Sequence, residues 1–101
     1  MSKTAILATL PIKEGEKDAF LAAFAAMEAQ VEQEGGTEIY SLHWDRKNDH
    51  MAYIYELYTD KDSFKAHGGS EAMQAFQVAI GGLLAGAPEL VGLTPETGKG
   101  L

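Results

Sequence analysis

A chain of 101 residues is enough polypeptide for one domain, and a domain of that size buries roughly 60 to 65% of its unfolded surface, sufficient for a single core. Eight basic residues scattered among fifteen acidic ones give a net charge of −7, which argues against capture of nucleic acid or an anionic membrane surface, since both need clustered Lys and Arg. There is no cysteine, so disulfides, thiol nucleophiles and cysteine-type zinc sites are excluded and nothing calls for an oxidising compartment.

Along the chain, Met1-Ser2-Lys3-Thr4 leads into too short an apolar run for a secretory signal, and no stretch approaches the ~20 apolar residues of a spanning helix. A cytosolic location is expected. Lys3 to Leu10 is apolar and partly β-branched, and Pro11 with Glu14-Gly15 closes it, which predicts a first strand. From Glu16 to about Glu34 the period becomes helical: Phe20, Phe24, Met27 and Val31 form one stripe, while Glu16, Lys17, Glu28, Glu32 and Gln33 lie off it. Gly35-Gly36 is expected to end this helix through a left-handed C′ glycine.

Thr37 to Asp45 alternates as a strand, with Tyr40, Leu42 and Trp44 opposite Ile39, Ser41 and His43. Arg46 to His50 reads as a polar turn, and Met51 to Tyr58 as a third strand in a hairpin with the second. Asp60 or Asp62 can cap a short helix through His67, Gly68-Gly69 breaks it, and Ser70 can cap a longer one through about Leu84. The inward stripe of that helix is Met73, Phe76 or Gln77, Ile80 and Leu84. Glu89 to Leu93 reads as a last strand, and residues 95–101 as a loose tail.

The order strand, helix, strand, strand, helix, strand predicts an α+β domain over residues 1–94: a ferredoxin-like split β-α-β with one antiparallel four-stranded sheet and its helices on one face. Neither side of the third strand carries a row of charges, because Tyr53, Tyr55 and Leu57 alternate with Ile54, Glu56 and Tyr58. The first strand behaves alike. A monomer would therefore expose an apolar sheet face, and the expectation is a homodimer joined through that face, a dimeric α+β barrel.

Other chemistries find little support. His43, His50 and His67 lack the i, i+4 spacing of helical metal ligands. Ser63 and Ser70 sit where helices start, with no Gly-x-Ser-x-Gly around either, and the glycine pairs form no Gly-x-Gly-x-x-Gly. The stretch from Met51 to His67 is the richest: a half-buried strand delivers tyrosines and Glu56 beside a lone histidine, a set that can furnish an apolar pocket with a proton acceptor.

Several pieces, in order, give the chain a resemblance. They are Pro11-Ile12-Lys13-Glu14-Gly15, Glu34-Gly35-Gly36 before a strand holding Tyr40, Tyr55-Glu56-Leu57-Tyr58 before an acidic turn, Phe64-Lys65-Ala66-His67, Met73-Gln74-Ala75-Phe76, and Leu84 to Pro88. From Ile6 to about Thr94 the sequence resembles the antibiotic biosynthesis monooxygenase domain, a family of small ferredoxin-like proteins that dimerise through their sheets. The resemblance implies a pocket between sheet and helices for a planar aromatic or quinol-like molecule. Family members include oxygenases that use neither metal nor flavin, haem-degrading enzymes and a signal-molecule isomerase. The sequence departs from the haem degraders, since Ala8 stands where they carry asparagine and Met73 to Ile80 contains no histidine. Tyr58 also stands where the family often has tryptophan.

His67 matches the family's helical histidine, and an ordinary imidazole, titrating near ~6.5, can accept a proton from an acidic phenol at neutral pH. The expected activity is a cofactor-free monooxygenation of a quinol, phenol or polyketide-like aromatic by dioxygen, with His67 catalytic. Tyr40, Tyr55, Tyr58, Glu56, Phe24 and Phe76 are the expected substrate-binding residues. The competing expectations are a cofactor-free isomerase of a small hydroxy-ketone and a non-catalytic dimeric ligand-binding or stress-response module. Glu56, on the same side as Tyr58, would need a partner or a raised pKa if buried, with an exposed or interface ion pair as the favoured alternative, and Trp44 is expected as a cavity wall or a dimer anchor.

Overall fold

Pro11 and Gly15 set the first boundary. Proline cannot donate to a further ladder bond, and Gly15 takes φ +83° in a turn closed by Glu16 N–H donating to the Lys13 carbonyl at 3.1 Å, the left-handed value that suits glycine. In this computed structural model, which describes residues 2–101, the elements are β1 (Thr4–Pro11), α1 (Lys17–Val31), β2 (Thr37–Trp44), β3 (Met51–Tyr58), α2 (Lys61–Gly68), α3 (Glu71–Gly81) and β4 (Glu89–Leu93). The strands form one sheet in the order β2-β3-β1-β4, with every neighbouring pair antiparallel. This is the α+β, ferredoxin-like arrangement expected from the element order.

The helices bury one face of the sheet. Ala8, Leu10, Ala52 and Ile54 pack there against Phe20, Phe24 and Met27 of α1 and Phe76 and Ile80 of α3. Fully burying a side chain of this size contributes about 1.5–3 kcal/mol each, so the α1 stripe is a main anchor of the fold. Phe20 meets Trp44 edge-on at 6.0 Å and Phe76 at 6.2 Å. Trp44 is thus an intrachain packing residue beneath the Lys17 ammonium, 4.2 Å from its ring centroid, on the face opposite to any sheet-mediated dimer and outside the cavity described below.

Three local expectations are corrected. Regular helix in α1 stops at Val31, with Gln33 and Glu34 N–H bonded to Gln30 and Val31 carbonyls, and neither Gly35 nor Gly36 adopts a positive φ. Gly36 is needed for close approach instead: a Cβ there would overlap both the Oγ and the Cβ of Ser63 in α2. The last helix also ends early, at Gly81 with Gly82 as its cap, because two successive glycines cost about 1 kcal/mol each relative to alanine. Leu84, expected on the helix stripe, instead bridges to Ile12, extending the line of β1. Beyond Leu93 the chain has no helix or strand.

The other face of the sheet has no helix over it. Ile39, Tyr55, Leu57, Ala5, Leu7, Val91 and Leu93 share it by register, and Val91 and Leu93 are 49% and 42% exposed. Among the described residues no helix is long and apolar enough to cross a membrane.

Candidate active site

His67 owes its position to two caps. Asp60 starts α2 by accepting from Ser63 N–H at 2.8 Å; Ser70 starts α3 by accepting from Met73 N–H at 3.1 Å and donates its own hydroxyl to the His67 carbonyl at 2.7 Å. Each cap is worth about 0.5–2 kcal/mol. Between them the last turn of α2 turns its imidazole inward, where His67 is only 2% exposed.

The buried ring has one partner. Nδ1 lies 2.8 Å from Glu34 Oε1, in the turn between α1 and β2. The same carboxylate accepts from Thr37 Oγ1 at 2.7 Å and Gln30 Nε2 at 3.0 Å. Partial burial by itself would raise the Glu34 pKa, but the hydrogen bonds from Thr37, Gln30 and His67 together outweigh it and hold the carboxyl below its ordinary range. An ionised carboxylate only accepts, so in the neutral ring the proton sits on Nδ1 and the lone pair on Nε2. Nε2 is buried with no hydrogen-bond partner, and the shape of the ring directs it away from Glu34.

His67 is also part of the wall of a cavity of about 230 Å³. Its walls are Ala8, Leu10 and Ile54 from the sheet, Met73, Phe76 and Ile80 from α3, and Pro88 and Leu90 at the rim, with Tyr40, Glu56, His67 and Gln77 supplying the polar groups. A dry cavity of roughly 150 Å³ holds a benzene, so this one has room for a substituted ring. The Leu90 side of the rim is open, since that residue is 71% exposed.

Glu56 is not the exposed or interface ion pair expected from the sequence. Strand alternation turns it toward the helices, 7% exposed, with Tyr58 Oη donating to its Oε1 at 2.5 Å. Burial pushes its pKa up, against the opposing pull of the Tyr58 hydroxyl and His67. The folded protein therefore holds this proton more tightly than the unfolded chain does. The stability this contributes is complete below the ordinary carboxylate range and is lost as pH rises through the raised folded value. Glu56→Gln keeps an acceptor for Tyr58 and removes the buried charge. Its melting temperature should exceed that of the parent by a few degrees at pH 8 and match it near pH 4; a constant gap across that range would show that ionisation of Glu56 is not the cause.

The expected binding residues divide. Tyr40, Glu56 and Phe76 line the cavity with His67. Phe24 stands one layer behind, stacked on Tyr40 at 5.5 Å and 10°. Tyr58 is buried beside the site, its ring 5.5 Å from that of His67, but its hydroxyl is committed to Glu56. Tyr55 is elsewhere: alternation places it on the open sheet face between Leu7 and Ser41, so it does not reach the cavity. Burial, followed by the charges of Glu56 and Glu34, raises the pKa of Tyr40, which keeps that phenol a proton donor rather than a base. His43 bonds Ser41 on the open face at 2.9 Å. Among the described residues no three His, Asp or Glu side chains are placed to hold a metal ion.

Residues 4–79 match the sequence profile of the family described as antibiotic biosynthesis monooxygenase. The chain belongs to that family. A Caulobacter crescentus protein described as a candidate antibiotic biosynthesis monooxygenase superposes with a TM-score of 0.91 at 28% identity, over 95% of this chain and 92% of that one. Rv0793 from Mycobacterium tuberculosis superposes at 0.89 with 21% identity, over 97% and 99% of the two chains. A conserved Methanosarcina mazei protein does so at 0.90 with 16% identity, over 95% of each; these last two likenesses concern the fold alone. No match was found among curated protein sequences.

Within the family frame, Ala8 is a wall of the cavity and Tyr58 fills the position beside it, packed against Phe64 at 5.4 Å. Glu34, Phe64, Met73, Pro88 and Leu90 are among the site residues that sequence reasoning did not assign. Glu34 carried a local signal, Gln30 and Thr37 at capping distance on either side. Nothing in the sequence ties it to a histidine 33 positions away.

Proposed function

We propose that this chain is a monooxygenase acting without metal or flavin on a quinol, phenol or polyketide-like aromatic, with His67 as the base. The observation that supports it most is the buried imidazole, tethered at Nδ1 by Glu34 and unpartnered at Nε2, in the wall of a mainly apolar cavity. Nε2 takes the proton of an acidic hydroxyl, and the electron-rich anion gives one electron to dioxygen. The resulting substrate radical and superoxide join through a new C–O bond. The peroxide anion so formed expels hydroxide, which carries away the hydrogen of the same carbon, to leave a carbonyl, and the hydroxide takes up one proton to become water. Tyr40 orients the substrate oxygen as a donor, and the apolar walls shield the anion from water.

Oxygen uptake by metal-stripped protein over a panel of reduced quinones and naphthols tests this reading. Uptake above background on at least one member, lost in His67→Ala, is the expected result; background rates throughout would overturn it. A second reading is favoured by Glu56, a buried carboxyl that lines the same cavity as His67: an isomerase that moves a proton on a small hydroxy-ketone. Turnover of such a substrate under nitrogen would select that reading.

The protein works as a homodimer through the open sheet face in this proposal, because Leu7, Val91 and Leu93 form a continuous apolar surface there with Tyr55. Such patches mark interfaces. Leu7→Glu, at the centre of the face and away from the cavity, should convert a dimer to a monomer in sedimentation equilibrium. A parent protein that sediments as a monomer would remove this part of the proposal.

A further inference from the structure

Behind His67 a second cleft, of about 280 Å³, opens beside the end of α1 and the junction of α2 with α3, with Gln30, Glu34, Thr37, Ser63 and Ser70 among its walls. Among the described residues His67 is the only one that this cleft shares with the substrate cavity. The imidazole is the partition between them. Its Nδ1 edge meets Glu34 on the cleft side, and the two side chains differ in access: 1% exposed for His67 and 16% for Glu34. The ring thus stands between the two spaces, with its Nδ1 partner Glu34 on the cleft side.

We infer that Glu34 is a positioning and proton-exchange residue that connects His67 to solvent through the rear cleft, so that a proton taken from substrate need not leave through the substrate cavity. This rests on the reading of His67 as the base. When Nε2 gains the substrate proton, Nδ1 gives its own to Glu34 Oε1, and Glu34 releases a proton to water in the cleft. In the return half, departing hydroxide takes the Nε2 proton and becomes water, while Nδ1 recovers a proton that the cleft supplies through Glu34. One proton goes from substrate to solvent and one from solvent to product water, and the ring ends in its starting tautomer. No proton then has to cross the substrate-filled front cavity, whose apolar walls shield the anion.

Nitrogen-15 NMR of the resting protein tests this without any substrate. The neutral His67 ring should carry its proton on Nδ1 in the parent protein and in Glu34→Gln, which retains an acceptor but cannot take a proton. Exchange of that proton with deuterium oxide should slow at least tenfold in Glu34→Gln, and Glu34→Ala should show the Nε2–H tautomer as well. An Nε2–H tautomer in the parent protein overturns the positioning role, and equal exchange rates in parent and Glu34→Gln overturn the relay. Because these readouts precede turnover, inactivity on every quinol would defeat the proposed function and leave them intact. Where a quinol is turned over, Glu34→Gln should lower kcat about 10–100-fold with KM little changed; an unchanged kcat would count against the relay.

Discussion

His67→Ala is expected to lower kcat for quinol oxidation by about 10²–10⁴-fold, the usual contribution of a positioned general base. KM should change little, since the apolar walls that hold the ring remain. The substitution leaves Glu34 with its two other donors, Thr37 and Gln30, so the carboxylate is not stranded and the variant should fold. It also opens a space the size of an imidazole between the cavity and the rear cleft. Added imidazole should enter it and restore part of the rate, in proportion to the free-base concentration. Oxygen uptake at saturating quinol, with and without imidazole, decides the matter. A variant as fast as the parent would mean that the base lies elsewhere or that substrate enters already ionised.

The second large effect concerns a residue that touches no substrate. In Gly36→Ala the new methyl overlaps Ser63 Oγ and Cβ, so either the start of β2 or the first turn of α2 must move. Overpacking of this kind costs about 1–3 kcal/mol, and at roughly 4–8 °C per kcal/mol for a domain of this size the melting temperature should fall by about 5–20 °C. The damage should be specific to one contact. Ser63→Gly removes both overlapped atoms and should recover most of the loss in the double variant, whereas Ser63→Ala keeps the Cβ and should recover little. Thermal unfolding of the four members of the cycle gives the coupling directly; additive effects would show that Gly36 matters for its backbone and not for its closeness to α2. Because α2 carries His67, the single variant should also loosen the Nδ1–Glu34 bond.

Strand and helix order were legible because each element announces itself locally. The Phe20, Phe24, Met27 stripe has a helical period and a buried face. The alternation through Met51 to Tyr58 sends Ile54, Glu56 and Tyr58 inward in the structure. Helix ends were less legible. Glycine pairs are compatible with several conformations, and only packing against Ser63 explains why position 36 is one of them. The same limit applies to the site. His67 and Tyr40 could be named from type and place in the resemblance, but Tyr55 was drawn into the expected pocket by its chemistry when a period of two assigns it to the opposite face.

What the residues determined unaided was whatever depends on neighbours a few positions apart: the element order, the faces of each strand, a helix cap at Asp60 or Asp62 and another at Ser70, and the absence of basic clusters and thiols. What only the tertiary structure decided was whatever depends on residues brought together across the chain. It set Glu34 against Nδ1 of His67, sealed Glu56 behind Tyr58, and made one imidazole the wall between two cavities. Periodicity reports which way a side chain points, whereas a hydrogen bond needs two groups within about 3 Å. That coincidence is fixed by how the helices lie on the sheet, and no local pattern encodes it.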